Sequence, residues 1–310
     1  MRIQNLALAV MLAVTSMSLF PAGNRVKVDG NSIDTPFNVK WIHGCKDCSA
    51  CTDPPFQVYQ YDSDTYIFRE SKCVDFEGPF LYLLIGQKKV LLLDTGAAPP
   101  KGQTVDVRGT IQAVLAQWEA KHHRPNLELM VAHSHSHGDH KYGDSQFEGQ
   151  PNTVLVKPDL DAIKEFFKLP DWPEGTATVD LGGRVLTIIP TPGHEKTHIA
   201  VYDSKTHFLL TGDMLYPGIL TVVDWPEYRR SVKRLSDFAA AHPISYILGA
   251  HIESMATPKQ VYPLGSTFQP DEHVLQMTVA DLTDLQKACD AMGDNPHRDV
   301  HDNFTIVYYH

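Results

Sequence analysis

Positive charge is scarce in this chain. Its 310 residues carry 27 Lys and Arg against 37 Asp and Glu, a formal net charge of −10 at pH 7. That balance offers no broad basic surface for a polyanion, so nucleic acid is excluded as an extended partner. Long apolar runs are missing too. The one candidate, Leu6 to Val14, has nine residues, well short of the roughly 20 that a membrane helix needs. No Pro/Gly/Ser-rich linker divides the chain, which argues for one main domain. Cysteine is limited to five residues, none of them between residues 74 and 288, and no convincing Ser or Cys triad is present. At 43% hydrophobic residues the composition excludes disorder and leaves an ordinary globular core.

Arg2, the Leu6–Val14 run and the small or polar Thr15, Ser16 and Ser18 follow the pattern of a secretory signal peptide. The expectation is a signal peptide over residues 1–22, an N-terminal segment over 23–54, and a single domain over 55–310. The mature chain would then have no integral membrane span and would be secreted or periplasmic. Export makes a disulfide the default reading of Cys45, Cys48, Cys51 and Cys73. One bridge joining Cys73 to one of the other three is expected. The partner stays open, and the odd count leaves a thiol over.

Period-two and continuous apolar runs predict strands over 56–60, 65–69, 80–85, 90–93 and 127–131, then over 153–156, 185–189, 199–202, 208–210, 245–248 and 304–309. Helical spacing of Val107, Ile111, Val114, Leu115 and Trp118 predicts a helix over 105–120. Further helices are predicted over 226–241 and 279–292. Each half is β-rich and then helical, which gives an α/β fold with two packed sheets and helices outside.

Chemistry concentrates in residues 133–140, His-Ser-His-Ser-His-Gly-Asp-His, just after a buried strand. His135, His137, Asp139 and His140 form H-x-H-x-D-H. Two histidines two residues apart on a tight loop converge on one cation, and the Asp-His pair that follows turns toward a second. Imidazole nitrogen and carboxylate oxygen are donors that borderline divalent metals accept. Three more strand ends carry such groups: Thr191-Pro192-Gly193-His194, Thr211-Gly212-Asp213 and Gly249-Ala250-His251.

With these motifs, and with Leu93-Asp94-Thr95-Gly96, the chain resembles the metallo-β-lactamase superfamily over roughly residues 55–255. The resemblance implies a four-layer αβ/βα sandwich and two divalent metal ions, Zn²⁺ first, with Mn or Fe as alternatives. It assigns His135, His137 and His194 to the first ion and Asp139, His140 and His251 to the second, with Asp213 bridging both. Asp94 would orient ligands, and Asp139 would also relay a proton. His133 and His198 fall to structural roles. An acid at the Asp213 position sets the chain closer to the glyoxalase II-like and lactonase-like branches than to the clinical β-lactamases. Tyr216 matches a tyrosine that in lactonases hydrogen-bonds the substrate carbonyl. The expected function is an exported dinuclear hydrolase acting on a small-molecule lactone, ester or thioester through a metal-activated hydroxide. The alternatives are a β-lactamase or a mononuclear iron persulfide dioxygenase. Glutathione thioesters are disfavoured, because no Lys/Arg cluster follows His251. Oligomeric state is left open.

Overall fold

The structure, a computed structural model, describes residues 27–30 and 37–309. The signal-peptide expectation over residues 1–22 lies outside the described residues. The first sheet runs in chain order: β1 (Val28–Gly30), β2 (Phe56–Asp62), β3 (Thr65–Glu70), β4 (Phe80–Ile85), β5 (Lys89–Leu93), β6 (Glu128–Ala132) and β7 (Thr153–Leu155). Helix α1 (Val107–His122) links β5 to β6, which are parallel. A one-turn helix α2 (Gly138–Lys141) and then α3 (Leu160–Phe167) follow.

The second sheet is built from β8 (Ala177–Asp180), β9 (Val185–Pro190), β10 (Ile199–Asp203) and β11 (Phe208–Gly212), and continues after a break with β13 (Tyr246–Gly249) and β14 (Gln276–Met277). Between them lie β12 (Ile219–Val222) and α4 (Trp225–Ala241). After α5 (Val279–Met292), β15 (Asp299–Val300) and β16 (Thr305–Tyr308) join β12 in a small third sheet.

Three apolar cores separate the layers. Strand β4 shows why: Phe80, Tyr82 and Leu84 face the second sheet, while Leu81, Leu83 and Ile85 face α1 with Val107, Ile111, Val114 and Trp118. A strand buried on both faces must be apolar at every position, and this one is. The third core joins the second sheet to α4 and α5 through Tyr228, Val232, Leu235, Leu282 and Leu285. Helix, sheet, sheet, helix is the expected four-layer sandwich.

The segment over 23–54 is not separate from this architecture where it is described. Phe37 and Trp41 are buried in the core between the sheets, and β1 pairs with β2. The cysteines correct a second expectation. Two bridges form, Cys48–Cys73 and Cys45–Cys51, and only Cys289 is free. The expectation of a single bridge fails because Cys45 and Cys51 fold back on each other around the short turn Cys48–Ala50. Burial pushes the Cys289 thiol up to about 12. Among the described residues no helix is long and apolar enough to cross a membrane.

Candidate metal centre

Five strand ends open on one edge of the sandwich. Asp94 follows β5, residues 133–140 follow β6, His194 follows β9, Asp213 follows β11 and His251 follows β13. Local sequence fixes each turn. Asp94 lies in the left-handed region at φ 70°. Its Oδ1 accepts from the Ser134 backbone N–H at 2.7 Å, and its Oδ2 accepts from the Ser134 hydroxyl at 2.9 Å. Gly193 passes so close to α4 that a Cβ there would lie 2.4 Å from the Tyr228 Cα, at a φ of 139°. Only glycine fits.

Three imidazole nitrogens meet first. His194 Nε2 is 3.2 Å from His135 Nε2 and 3.1 Å from His137 Nδ1. The far nitrogen of His194 donates to the Thr221 carbonyl at 2.7 Å, so Nε2 presents a lone pair. A second group meets beside it. His140 Nε2 is 3.0 Å from Asp139 Oδ2, and His251 Nε2 is 3.3 Å from the same oxygen. His140 Nδ1 donates to Asp94 Oδ2 at 3.0 Å and His251 Nδ1 donates to the Glu77 carbonyl at 3.2 Å. Both Nε2 atoms are thereby left as acceptors facing the cluster, an outer-partner arrangement typical of ligating histidines.

Asp213 lies between the two groups. Its Oδ2 is 3.4 Å from His194 Nε2, and its Oδ1 is 3.4 Å from His251 Nε2 and 3.6 Å from His140 Nε2. That Oδ1 is buried and makes no hydrogen bond, so its nearest groups are those two imidazoles, an arrangement that a cation between them would satisfy. All seven residues named from the sequence are thus brought together. Among the described residues they account for three groups, each able to offer a divalent ion three donor atoms lying within 4.8 Å of one another.

Electrostatics favours positive charge here. Burial alone would raise the Asp213 carboxyl, but His251, His140 and His135 outweigh it and hold it well below the usual range. Burial would lower His140 and His251, yet the neighbouring carboxylates push both well above the usual imidazole range. Around the second group the carboxylates therefore favour a bound cation, whereas burial and the neighbouring imidazoles lower His135 and His137. Nitrogen and carboxylate donors in this proportion fit Zn²⁺ and its neighbours.

The remaining candidates have other partners. His198 Nε2 accepts from the Asp213 backbone N–H at 3.1 Å, so its Nδ1 carries the proton and donates to Thr191 Oγ1 at 2.8 Å. It braces the Asp213 turn from behind. His133 Nε2 sits 2.7 Å from Asp144 Oδ1. Tyr216 stacks edge-on against His251, with ring centroids 5.4 Å apart. Its hydroxyl, however, donates to the Ile219 carbonyl at 2.6 Å and lies 3.3 Å from Glu253 Oε2. The hydroxyl is thus already engaged within the protein, and this geometry lends no support to the expected role at a substrate carbonyl. Tyr216→Phe is expected to change kcat by less than about threefold and metal content not at all. A tenfold fall in kcat on an ester or lactone would restore the role expected from sequence.

Sequence reasoning missed Ser134, Thr221 and Glu77. Ser134 orients Asp94, His135 and His140 through one hydroxyl. Thr221 and Glu77 hold His194 and His251 through backbone carbonyls, for which no side-chain pattern exists, while the Thr221 hydroxyl also lies 3.0 Å from His194 Nδ1 and the Glu77 carboxyl bonds to Asp139.

The family model for the metallo-beta-lactamase superfamily matches residues 74–251. The human acyl-coenzyme A thioesterase MBLAC2 is 21% identical over 224 residues, which span 61% of this chain and 77% of that protein. The chicken protein of the same name is 28% identical over 96 residues, 29% of this chain and only 34% of that protein. Among solved structures, the DIM-1 metallo-beta-lactamase is 15% identical and covers 77% of this chain and 99% of its own, with a TM-score of 0.49. The family match extends over more than half of the sequence and contains every residue of the cluster, and the chain belongs to the metallo-beta-lactamase superfamily of hydrolases.

Proposed function

We propose that the chain is an exported dinuclear metal-dependent hydrolase of an acyl ester, thioester or lactone. One observation carries the dinuclear reading: the two oxygens of Asp213 face different imidazole groups, and the oxygen on the second group is buried beside His140 and His251 with no hydrogen bond. In this reading His135, His137 and His194 would hold one ion and Asp139, His140 and His251 the other, with Asp213 available to both. Divalent ions there, Zn²⁺ first, would generate a hydroxide from water near neutral pH and polarise the carbonyl as Lewis acids.

The chain's own residues do the rest. Asp94, Thr221 and Glu77 fix the tautomers of His140, His194 and His251. Asp139 is on the more open side of the cluster and is held well below the usual carboxylate range: burial opposes this, but His140 and His251 prevail. Its Oδ2 lies at the cluster beside His140 and His251, where it can pass the proton of the attacking water on to the leaving group. Beside His194 a cleft of about 370 Å³ is lined by Leu160, Trp172, Pro173 and Val223, apolar side chains suited to an acyl group. Glu195, Asp224 and Glu227 also line it, against Lys196 alone, so the cleft suits the acyl end of a thioester rather than an anionic carrier. The thioesterase relatives support the thioester class, and the two disulfides support export to an oxidising compartment.

The test is a hydrolysis panel of acyl thioesters, esters, lactones and β-lactams, run on the metal-loaded mature protein. Thioester or ester turnover is expected, lost on chelation and restored by Zn²⁺. Turnover of β-lactams alone, or oxygen uptake with iron, would overturn the assignment.

A further inference from the structure

The turn between β3 and β4, residues 71–79, lies over His251, and its construction is unusual. Lys72 is 1% exposed. Burying an ammonium group costs several kcal/mol, and an apolar side chain of similar length would be cheaper. Pairing with Glu272 does not account for the lysine, because Arg69 Nη2 already holds Glu272 Oε1 at 2.9 Å whereas Lys72 Nζ is 3.9 Å away. The amine instead reaches up into the turn. It donates to the Phe76 carbonyl at 3.0 Å and to the Glu77 carbonyl at 3.4 Å.

The Glu77 carbonyl is the same atom that accepts from His251 Nδ1. One oxygen therefore takes a buried lysine on one side and the candidate ligand on the other. The next residue along the chain, Cys73, is bonded to Cys48, which ties the turn to the N-terminal segment. The fit leaves no slack around the lysine stem. A Cβ on Gly78 would lie 2.9 Å from Lys72 Cγ, and one on Gly44 would lie 2.9 Å from Lys72 Cβ.

We propose that Lys72 and the Cys48–Cys73 bridge are positioning groups for the second metal: they fix the Glu77 carbonyl, which sets the ring orientation and tautomer of His251. The inference rests on the dinuclear reading above. It makes occupancy of one ion, and not of the other, depend on a turn that contributes no ligand of its own. The outer partner of His194 Nδ1 is Thr221, on β12 and not on this turn.

The test is metal content and affinity of the full chain, measured by titrating Zn²⁺ into metal-free protein against a competing chelator. The unsubstituted chain should take two ions. Lys72→Met should weaken the second by about 10- to 100-fold, the usual loss when an outer partner is removed, and leave the first unchanged. Cys73→Ser, which keeps the lysine, should shift the second ion in the same direction, and it serves alone if Lys72→Met does not fold. Two ions held as tightly as in the unsubstituted chain would overturn the proposal, and so would parallel weakening of both with a lowered Tm, the signature of general destabilisation. Fewer than two ions in the unsubstituted chain would instead defeat the dinuclear reading itself.

Discussion

Asp213→Ala is expected to release the second ion, retain the first, and lower kcat on the order of 10³-fold, equivalent to about 4 kcal/mol of lost transition-state stabilisation. The first group keeps three imidazoles when the carboxylate is gone. The second keeps Asp139, His140 and His251 but loses the anion that stands between the two. Neither neighbouring acid is a ready replacement: the Glu77 carboxyl is raised by burial and by its hydrogen bond to Asp139, and the Asp75 carboxyl is raised by burial and by Asp139. Asp213→Asn separates charge from shape, because the amide fills the same volume with no charge. It should lose the second ion nearly as completely. Elemental analysis and steady-state kinetics on both variants check the expectation; two retained ions with near-normal kcat would contradict it.

Arg184→Ala is expected to cost about 3–5 kcal/mol of stability and to lower Tm on the order of 10 °C, with activity of the folded fraction unchanged. Arg184 sits just before β9 and is 2% exposed. Its guanidinium grips Asp203 at the end of β10 through Nε at 2.9 Å and Nη2 at 2.6 Å. It also donates to Thr65 Oγ1 at 2.8 Å, the Asp64 carbonyl at 2.7 Å and the Ile85 carbonyl at 3.2 Å, all on the first sheet. One side chain thus clamps the two sheets at the edge away from His251. Removing it leaves the buried Asp203 carboxylate without its countercharge, held only by Thr206 and the Lys205 backbone N–H. Chemical denaturation followed by circular dichroism reads the loss, and a change under 1 kcal/mol would show that the clamp is redundant.

How much of this was legible from sequence depends on how local the determinant is. Helix α1 was predicted at 105–120 and forms at Val107–His122, because its apolar stripe is complete within the segment. Strand β4 was predicted at its observed bounds, since a run with no polar residue leaves no alternative. Helix α3 was missed although Leu160, Ile163 and Phe167 have helical spacing, because eight residues hold too few repeats to stand out. Strands β1 and β12 were missed for another reason: β12 pairs with β16, more than eighty residues away, and such pairing leaves little local trace. Disulfide connectivity is non-local in the same way, as four cysteines allow three pairings.

The site divides along similar lines. Each proposed ligand was named because histidine and aspartate at a strand end are visible one residue at a time. For Tyr216 the sequence could not show where the hydroxyl points, because its direction is set by the Ile219 carbonyl and Glu253, neither of which its own neighbourhood identifies. Glu77 and Thr221 hold ligands through carbonyl oxygens that every residue possesses, so only the folded chain distinguishes them.

Elemental analysis of the active full chain after exhaustive dialysis against buffer of defined free Zn²⁺ tests the central claim most directly. Two ions per chain are expected, removed together with activity by a chelator and restored with it on adding metal back. One tightly bound ion, with no gain in content or activity on adding more, would contradict a centre in which Asp213 joins two groups.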